Sequence, residues 1–337
     1  MILEIHHNTD NIKLTSGEIA ELFNSYITNK VSTCILSYFI ATVQDPDMKK
    51  VLMCSQQVAQ KLVEGAANIF KAANHPVPKA FGEEDVNVNA AKLYSDTYML
   101  TYIRYMSRFS LVSYSEARAS STRSDVRAFF DEAIRSNIQL FDMADDVLLG
   151  KGLLSKSPLI PTPSIIDYEE KHNFWGELVG KKRPLNAAEA NRLFLNHQRN
   201  VLGEALMIGF IQTVSDIRIK EYFIRGLEIS RKHIETMASI LSHDGLAVPM
   251  NMAQEVTESK EKVFSDKLML FHVAALDSLG LATNGVSLSR VTRADLSVTI
   301  TKLMGEIALY SKDGMNIMIE NNWLEQIPLA KDINFSY

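Results

Sequence analysis

The chain has 337 residues, 46% of them apolar and 22% charged, and a formal net charge of −5. That composition belongs to a folded protein with room for two domains and excludes a disordered chain. The acidic balance removes any general electrostatic pull toward nucleic acid, and the longest apolar run, 201–214, is too short for a bilayer and carries Glu204.

The first residues have neither the basic start nor the long apolar stretch of a secretion signal, and two cysteines, Cys34 and Cys54, cannot supply a disulfide framework for this length. A cytoplasmic, reducing location with two buried thiols is expected. Thr15-x-x-Glu18 then has capping-box form, each residue serving an orphan donor at a helix start. Ile19, Leu22, Phe23, Tyr26, Ile27, Val31, Cys34, Ile35 and Tyr38 follow at three- and four-residue spacing, which predicts one apolar stripe on a helix over 16–44. Asp45-Pro46 restarts the chain as cap and first turn of a second helix that runs to about Asn74.

The third helix holds the heptad YSDTYML (94–100), with Ser95 as N-cap and Asp96 as first-turn acid. Tyr94, Tyr98, Tyr102 and Tyr105 form a packed aromatic stripe on it, whose alternative role is to stack a ligand or meet a partner. A fourth helix is expected to open with a second capping box, Thr122-x-x-Asp125, and carries Val126, Phe129, Phe130, Ala133, Ile134, Ile138 and Phe141. No stretch alternates as a strand would, so 1–154 reads as a four-helix bundle with short connections.

Residues 155–184 form a Pro-rich, partly apolar linker. Pro158, Pro161 and Pro163 predict an extended start. Ile165, Ile166, Phe174, Trp175 and Leu178 are too apolar for a free tether, so the segment is expected to lie as a strap across one or both bundles. Lys181, Lys182 and Arg183 read as solvated charge, and Glu169-x-x-His172 as an accidental match to metal-ligand spacing.

From there the chain repeats itself. A shift of 171 brings Leu14, Glu18, Leu22 and Phe23 onto Leu185, Glu189, Leu193 and Phe194, and Asp45 and Lys49 onto Asp216 and Lys220. One residue is then lost: at a shift of 170, Ser95-Asp96 meets Ser265-Asp266, and Thr122-Arg123 with Asp125 meets Thr292-Arg293 with Asp295. Matches spread over a whole half mean the duplication of a domain, not a short solenoid repeat. Residues 185–337 are thus a second four-helix bundle, and the fold class is all-α with two tandem bundles.

Residues that carry chemistry are sparse. There is no phosphate-binding glycine loop, no nucleophile elbow and no Cys-x-x-Cys. His197, Glu204, His272 and Glu306 of the second bundle would make a metal site if all faced inward, taking Fe, Mn or Zn. Their first-half counterparts, Tyr26, Thr33, Tyr102 and Ser136, are a poor metal set, so the preferred reading is hydrogen-bonded histidines, exposed glutamates and no cofactor.

The duplicated starts LTSGEIAELF and LNAAEANRLF, the DPDMKK turn, the HPVP and LAVP loops and the bridge ending KKRPLN resemble a family of uncharacterised bacterial proteins. Found mostly in spore-formers, they have two tandem ferritin-like bundles and are distantly similar to spore coat proteins of the coat-F type. The likeness covers nearly the whole chain. It implies a ferritin-like fold without the metal-binding carboxylates of ferritins, carries no catalytic residue across, and implies spore association by analogy. The expected function is a non-enzymatic structural or interaction protein of spore-coat or stress type, working with protein partners or as a homo-oligomer. The alternatives are a binder of a small apolar or aromatic ligand on the Tyr94–Tyr105 side, and a metal-dependent oxidoreductase or metal store in the second bundle.

Overall fold

A computed structural model describes residues 12–169, 175 and 182–330. The first half contains α1 (Ser16–Thr42), α2 (Pro46–Ala72), α3 (Asp96–Ser120) and α4 (Ser124–Gly150). The second contains α5 (Ala187–Thr213), α6 (Ile217–His243), α7 (Asp266–Leu288) and α8 (Ala294–Glu320). In each half the first helix packs on the second, the third on the fourth, and the second on the fourth, so each half is a four-helix bundle. Among the described residues there is no β-strand, and no helix is long and apolar enough to cross a membrane. Cys34 is buried, Cys54 half-buried, and both are free thiols.

The helix starts explain several of the repeated residues. Thr15 with Glu18, and Asn186 with Glu189, complete reciprocal capping boxes. The same carboxylates reach further: Glu18 accepts from the amides of Thr122 and Arg123 at 2.8 Å each, and Glu189 from those of Thr292 and Arg293 at 3.0 and 2.9 Å. Each therefore caps the fourth helix of its half as well as the first. The boxes expected at Thr122 and Thr292 do not form. Those helices start behind Arg123 and Arg293, which have no side-chain cap, and Asp125 and Asp295 pair with these arginines instead.

Arg183 is likewise not solvated charge; it forks onto Glu189 at 2.7 and 2.8 Å, while Lys182 meets Asp295 at 3.0 Å. Lys181 lies outside the described residues, as does the His172 of the Glu169-x-x-His172 match. Ser95 and Ser265 cap α3 and α7, accepting from Tyr98 and Leu268 amides at 3.0 Å. Their neighbours hold the preceding turn: Asp96 accepts from the amides of Gln44 and Asp45 at 3.0 and 2.7 Å, Asp266 from those of Ser215 and Asp216 at 3.2 and 2.9 Å.

The connection from second to third helix is long in each half, unlike the short loop expected, and it crosses to the other half. Asn87 N donates to Val263 O at 2.7 Å and Ser265 N to Asp85 O at 2.9 Å. Exchanging the halves by the 170-residue shift gives Thr257 N to Leu93 O at 2.9 Å and Ser95 N to Glu255 O at 2.8 Å. The same surface thus meets itself about a pseudo-two-fold axis. The main apolar core runs through this seam: Leu36, Tyr38, Phe39 and Tyr94 belong to one cluster with Leu202, Leu206, Phe210 and Phe264. A smaller cluster around Leu193, Met237, Leu296 and Ile300 fills one part of the second half. The two tandem bundles therefore share their main core instead of each enclosing all of its own. One consequence is that α5 is buried on more than one face, Asn196 to Leu202 in unbroken succession.

The linker touches the bundles at its ends, Ser157 Oγ on Asn191 Oδ1 at 3.1 Å and Trp175 O accepting from Ala294 N at 2.9 Å. Between these points Ile165 and Ile166 are 72% and 93% exposed, so they do not lie across a bundle as the strap reading expects. Phe174 and Leu178 lie outside the described residues.

Candidate functional site at the seam

The tyrosine stripe of α3 faces the other half rather than an open surface. Tyr94 Oη donates to Leu206 O at 3.0 Å and Tyr98 Oη to Leu202 O at 3.2 Å, both on α5. Tyr94 fits because residue 209 is glycine: a Cβ there would overlap the tyrosine's hydroxyl and ring. The Tyr94 and Tyr98 rings stack at 4.6 Å. Tyr102 Oη meets His272 Nε2 at 2.9 Å; the two residues are related by the 170-residue shift, so the pair sits at the pseudo-two-fold axis. Tyr105 is buried beside Arg199. Burial pushes all four hydroxyls above their ordinary range, leaving them protonated donors.

Two cavities lie where the halves meet; Tyr98, Tyr102 and Tyr105 line the smaller one, and the larger is lined by other residues. The larger, about 430 Å³, is a groove between the halves walled by Phe23, Phe81, Tyr114, Phe271, Met318 and Trp323. Its polar groups are few. Lys267 Nζ donates to Ala80 O at 2.9 Å and lies 4.6 Å from the Phe81 ring centroid, and Glu325 accepts from Lys79 N at 2.9 Å. Burial, with the neighbouring Glu116, pushes the Glu21 carboxyl up.

The smaller cavity, about 70 Å³, lies inside the second bundle and is closed by Tyr98, Tyr102 and Tyr105 of the first half. Arg199, His233 and Asp277 line it. The first half has an equivalent void of about 40 Å³ beside Asn29, Ser55, Ser107 and Ser110. Sequence reading missed the three charged or titratable residues. The signal was present in the copies: Thr28, Leu62 and Ser107 stand where the second half has Arg199, His233 and Asp277.

The four metal candidates do not converge, and Glu204, Glu306 and His272 are each held by a different partner. His197 is buried with Nδ1 unpartnered, and burial lowers its pKa to about 4. Glu204 is buried, not exposed, and accepts from Arg231 Nε at 2.8 Å. Glu306 accepts from Lys232 Nζ at 2.5 Å and meets His233 Nε2 at 3.2 Å, while His272 pairs with Tyr102. Among the described residues no group of three or more His, Cys, Asp or Glu is placed to hold a metal ion.

Among solved structures, a Bacillus halodurans C-125 protein provisionally named a spore coat protein aligns at 22% identity and a TM-score of 0.39, over 48% of this chain and 100% of its own. No curated protein matches. Residues 4–166 and 173–334 each match one family, described as "Protein of unknown function (DUF3231)". Matched twice over nearly its whole length, the chain belongs to that family.

Proposed function

We propose that the chain acts without catalysis, as a duplicated helical body that holds a small apolar or aromatic molecule in the groove between its halves. The observation that carries this reading is the groove itself. At about 430 Å³ it falls within the size range of small-molecule sites, and it has mostly apolar walls with a few polar groups at an interface between two units. The Tyr94–Tyr105 side, where the sequence suggested a ligand, is occupied by the other half, and the groove is lined by different residues of the two halves. The single long crossover in each half supports a ferritin-like connectivity. The test uses the neutral dye N-phenyl-1-naphthylamine. One dye per chain should bind with enhanced fluorescence, and Ser278→Trp, an exposed position on the groove wall, should weaken it about tenfold, ~1.4 kcal/mol. No enhancement, or equal binding by the variant, would overturn the reading.

A second reading, a structural role of spore-coat or stress type, is favoured by the exposed linker. Leu159, Ile165, Ile166 and Tyr168 are all largely uncovered on a proline-braced segment. Sedimentation should then show concentration-dependent assembly that Ile165→Ser with Ile166→Ser abolishes; a monomer at every concentration speaks against it.

A further inference from the structure

The smaller cavity carries a charge that the fold does not neutralise. Arg199 is 8% exposed, and its Nη1 donates to Gly280 O and Thr283 Oγ1 at 2.7 Å each. It makes no ion pair among the described residues, and its remaining N–H groups have no hydrogen-bond partner among them. Gly280 gives it room: a Cβ there would meet Nη1 at 3.0 Å. His233, on the same cavity, is fully buried with Nδ1 unpartnered. Asp277 lines the cavity and, among the described residues, accepts only a long 3.4 Å contact from Tyr222 Oη.

An unpaired buried guanidinium is costly, and an apolar filler would serve packing better. The first half makes that comparison directly: Thr28, Leu62 and Ser107 are the counterparts in the sequence, and its equivalent void, lined by Ser107, has no charged residue on it. Duplication produced two voids of one plan, and only one of them is equipped with Arg, His and Asp. Burial pushes the Asp277 carboxyl up to about 8, against the pull of Arg199 and Tyr222. At neutral pH it is therefore mostly protonated, a donor rather than a rival to an incoming anion.

We propose that this cavity binds a small monovalent carboxylate, its oxygens taking the free N–H groups of Arg199 and the carboxyl proton of Asp277. The volume of about 70 Å³ would hold roughly five waters, which sets the ligand near the size of acetate or propionate. Tyr98, Tyr102 and Tyr105 wall the site from the first half, so the site needs both halves.

The test is a titration of the full chain with [¹³C]acetate followed by NMR at constant ionic strength. At pH 7 one acetate should bind saturably. Between pH 7 and about 9.5, ionisation of Asp277 should weaken binding at least about tenfold, while Asp277→Asn, which keeps a donor, should lose less than about threefold. The other titratable groups around Asp277 are Tyr222 from α6, which donates to it, and Tyr98, Tyr102 and Tyr105 from α3, His233 from α6 and Tyr310 from α8, which line the same cavity. Burial holds the tyrosines above this range and keeps His233 neutral, at about 4. The charged neighbours are Arg199 from α5 and Arg225, which lies over the Tyr222 and Tyr310 rings. Arg199→Gln should abolish binding; should that variant not fold, the comparison of the pH profiles of the native protein and Asp277→Asn still decides. Absence of saturable binding, preference for glycine or methylammonium over acetate, unchanged affinity in Arg199→Gln, or an equally steep pH profile in Asp277→Asn would each overturn the proposal.

Discussion

His197, His233 and His272 lie in the second bundle with burial lowering each ring to about 4. Unfolded histidine takes a proton near 6.5, so their contribution to stability is whole above that pH and is lost as pH falls toward 4. Asp277 works in the opposite sense: raised to about 8 when folded, it favours the folded state below its unfolded value of 3.8 and loses that contribution as pH rises to 8. Stability measured by urea unfolding should therefore peak near pH 6.5. On the acid side three histidines outweigh one aspartate, a net of two protons, each worth about 1.4 kcal/mol per pH unit. Asp277→Asn should flatten the fall between pH 6.5 and 8 and leave the acid side steeper. Below that, burial of Glu18 and Glu189 is outweighed by their hydrogen bonds, which hold both at about 2 and add a second loss between 4.5 and 2. A stability that climbs steadily from pH 6.5 to 8 in the native protein would contradict this assignment.

At the scale of helices, the close approach of α3 to α5 depends on Gly209, where a Cβ would meet the Tyr94 ring. Gly209→Ala should cost about 1–3 kcal/mol by overpacking, and less in a Tyr94→Leu background where the ring is gone. Equal costs in both backgrounds, read by urea unfolding, would deny the contact. Helix positions were legible because their signals are local: the Thr15–Glu18 and Asn186–Glu189 boxes, the Asp45 and Asp216 caps with Pro46 in the first turn of α2, and the left-handed Asn74 and Gly245 behind their helices, with φ of 52° and 69°. What those residues also do was not legible, because it depends on partners distant in sequence. Glu18 capping α4 and Asp96 holding the turn at Asp45 are such cases. The spacing of the Tyr94–Tyr105 stripe marks it as apolar without saying what covers it, and the covering element proved to be the other half.

For the molecule as a whole, duplication was plain in the sequence, but the relation of the copies was not. A tandem repeat is equally consistent with two independent bundles on a tether and with one body built about a pseudo-two-fold axis. The reciprocal bonds at Asp85, Leu93, Glu255 and Val263, and the shared core around Phe39 and Phe210, place this chain in the second class. Both candidate sites lie on that seam or against it, so both depend on the halves staying together. The same dependence was hidden from the sequence because Leu36, Phe39, Leu202 and Phe210 look alike whether they face their own bundle or its twin. The most direct test is to place a specific protease site between the exposed Ile165 and Ile166, cut it, and measure the mass of the product by light scattering on a sizing column. The two fragments should stay together as one particle of the uncut mass and unfold in a single transition. Elution as two separate, fully helical halves would contradict the account.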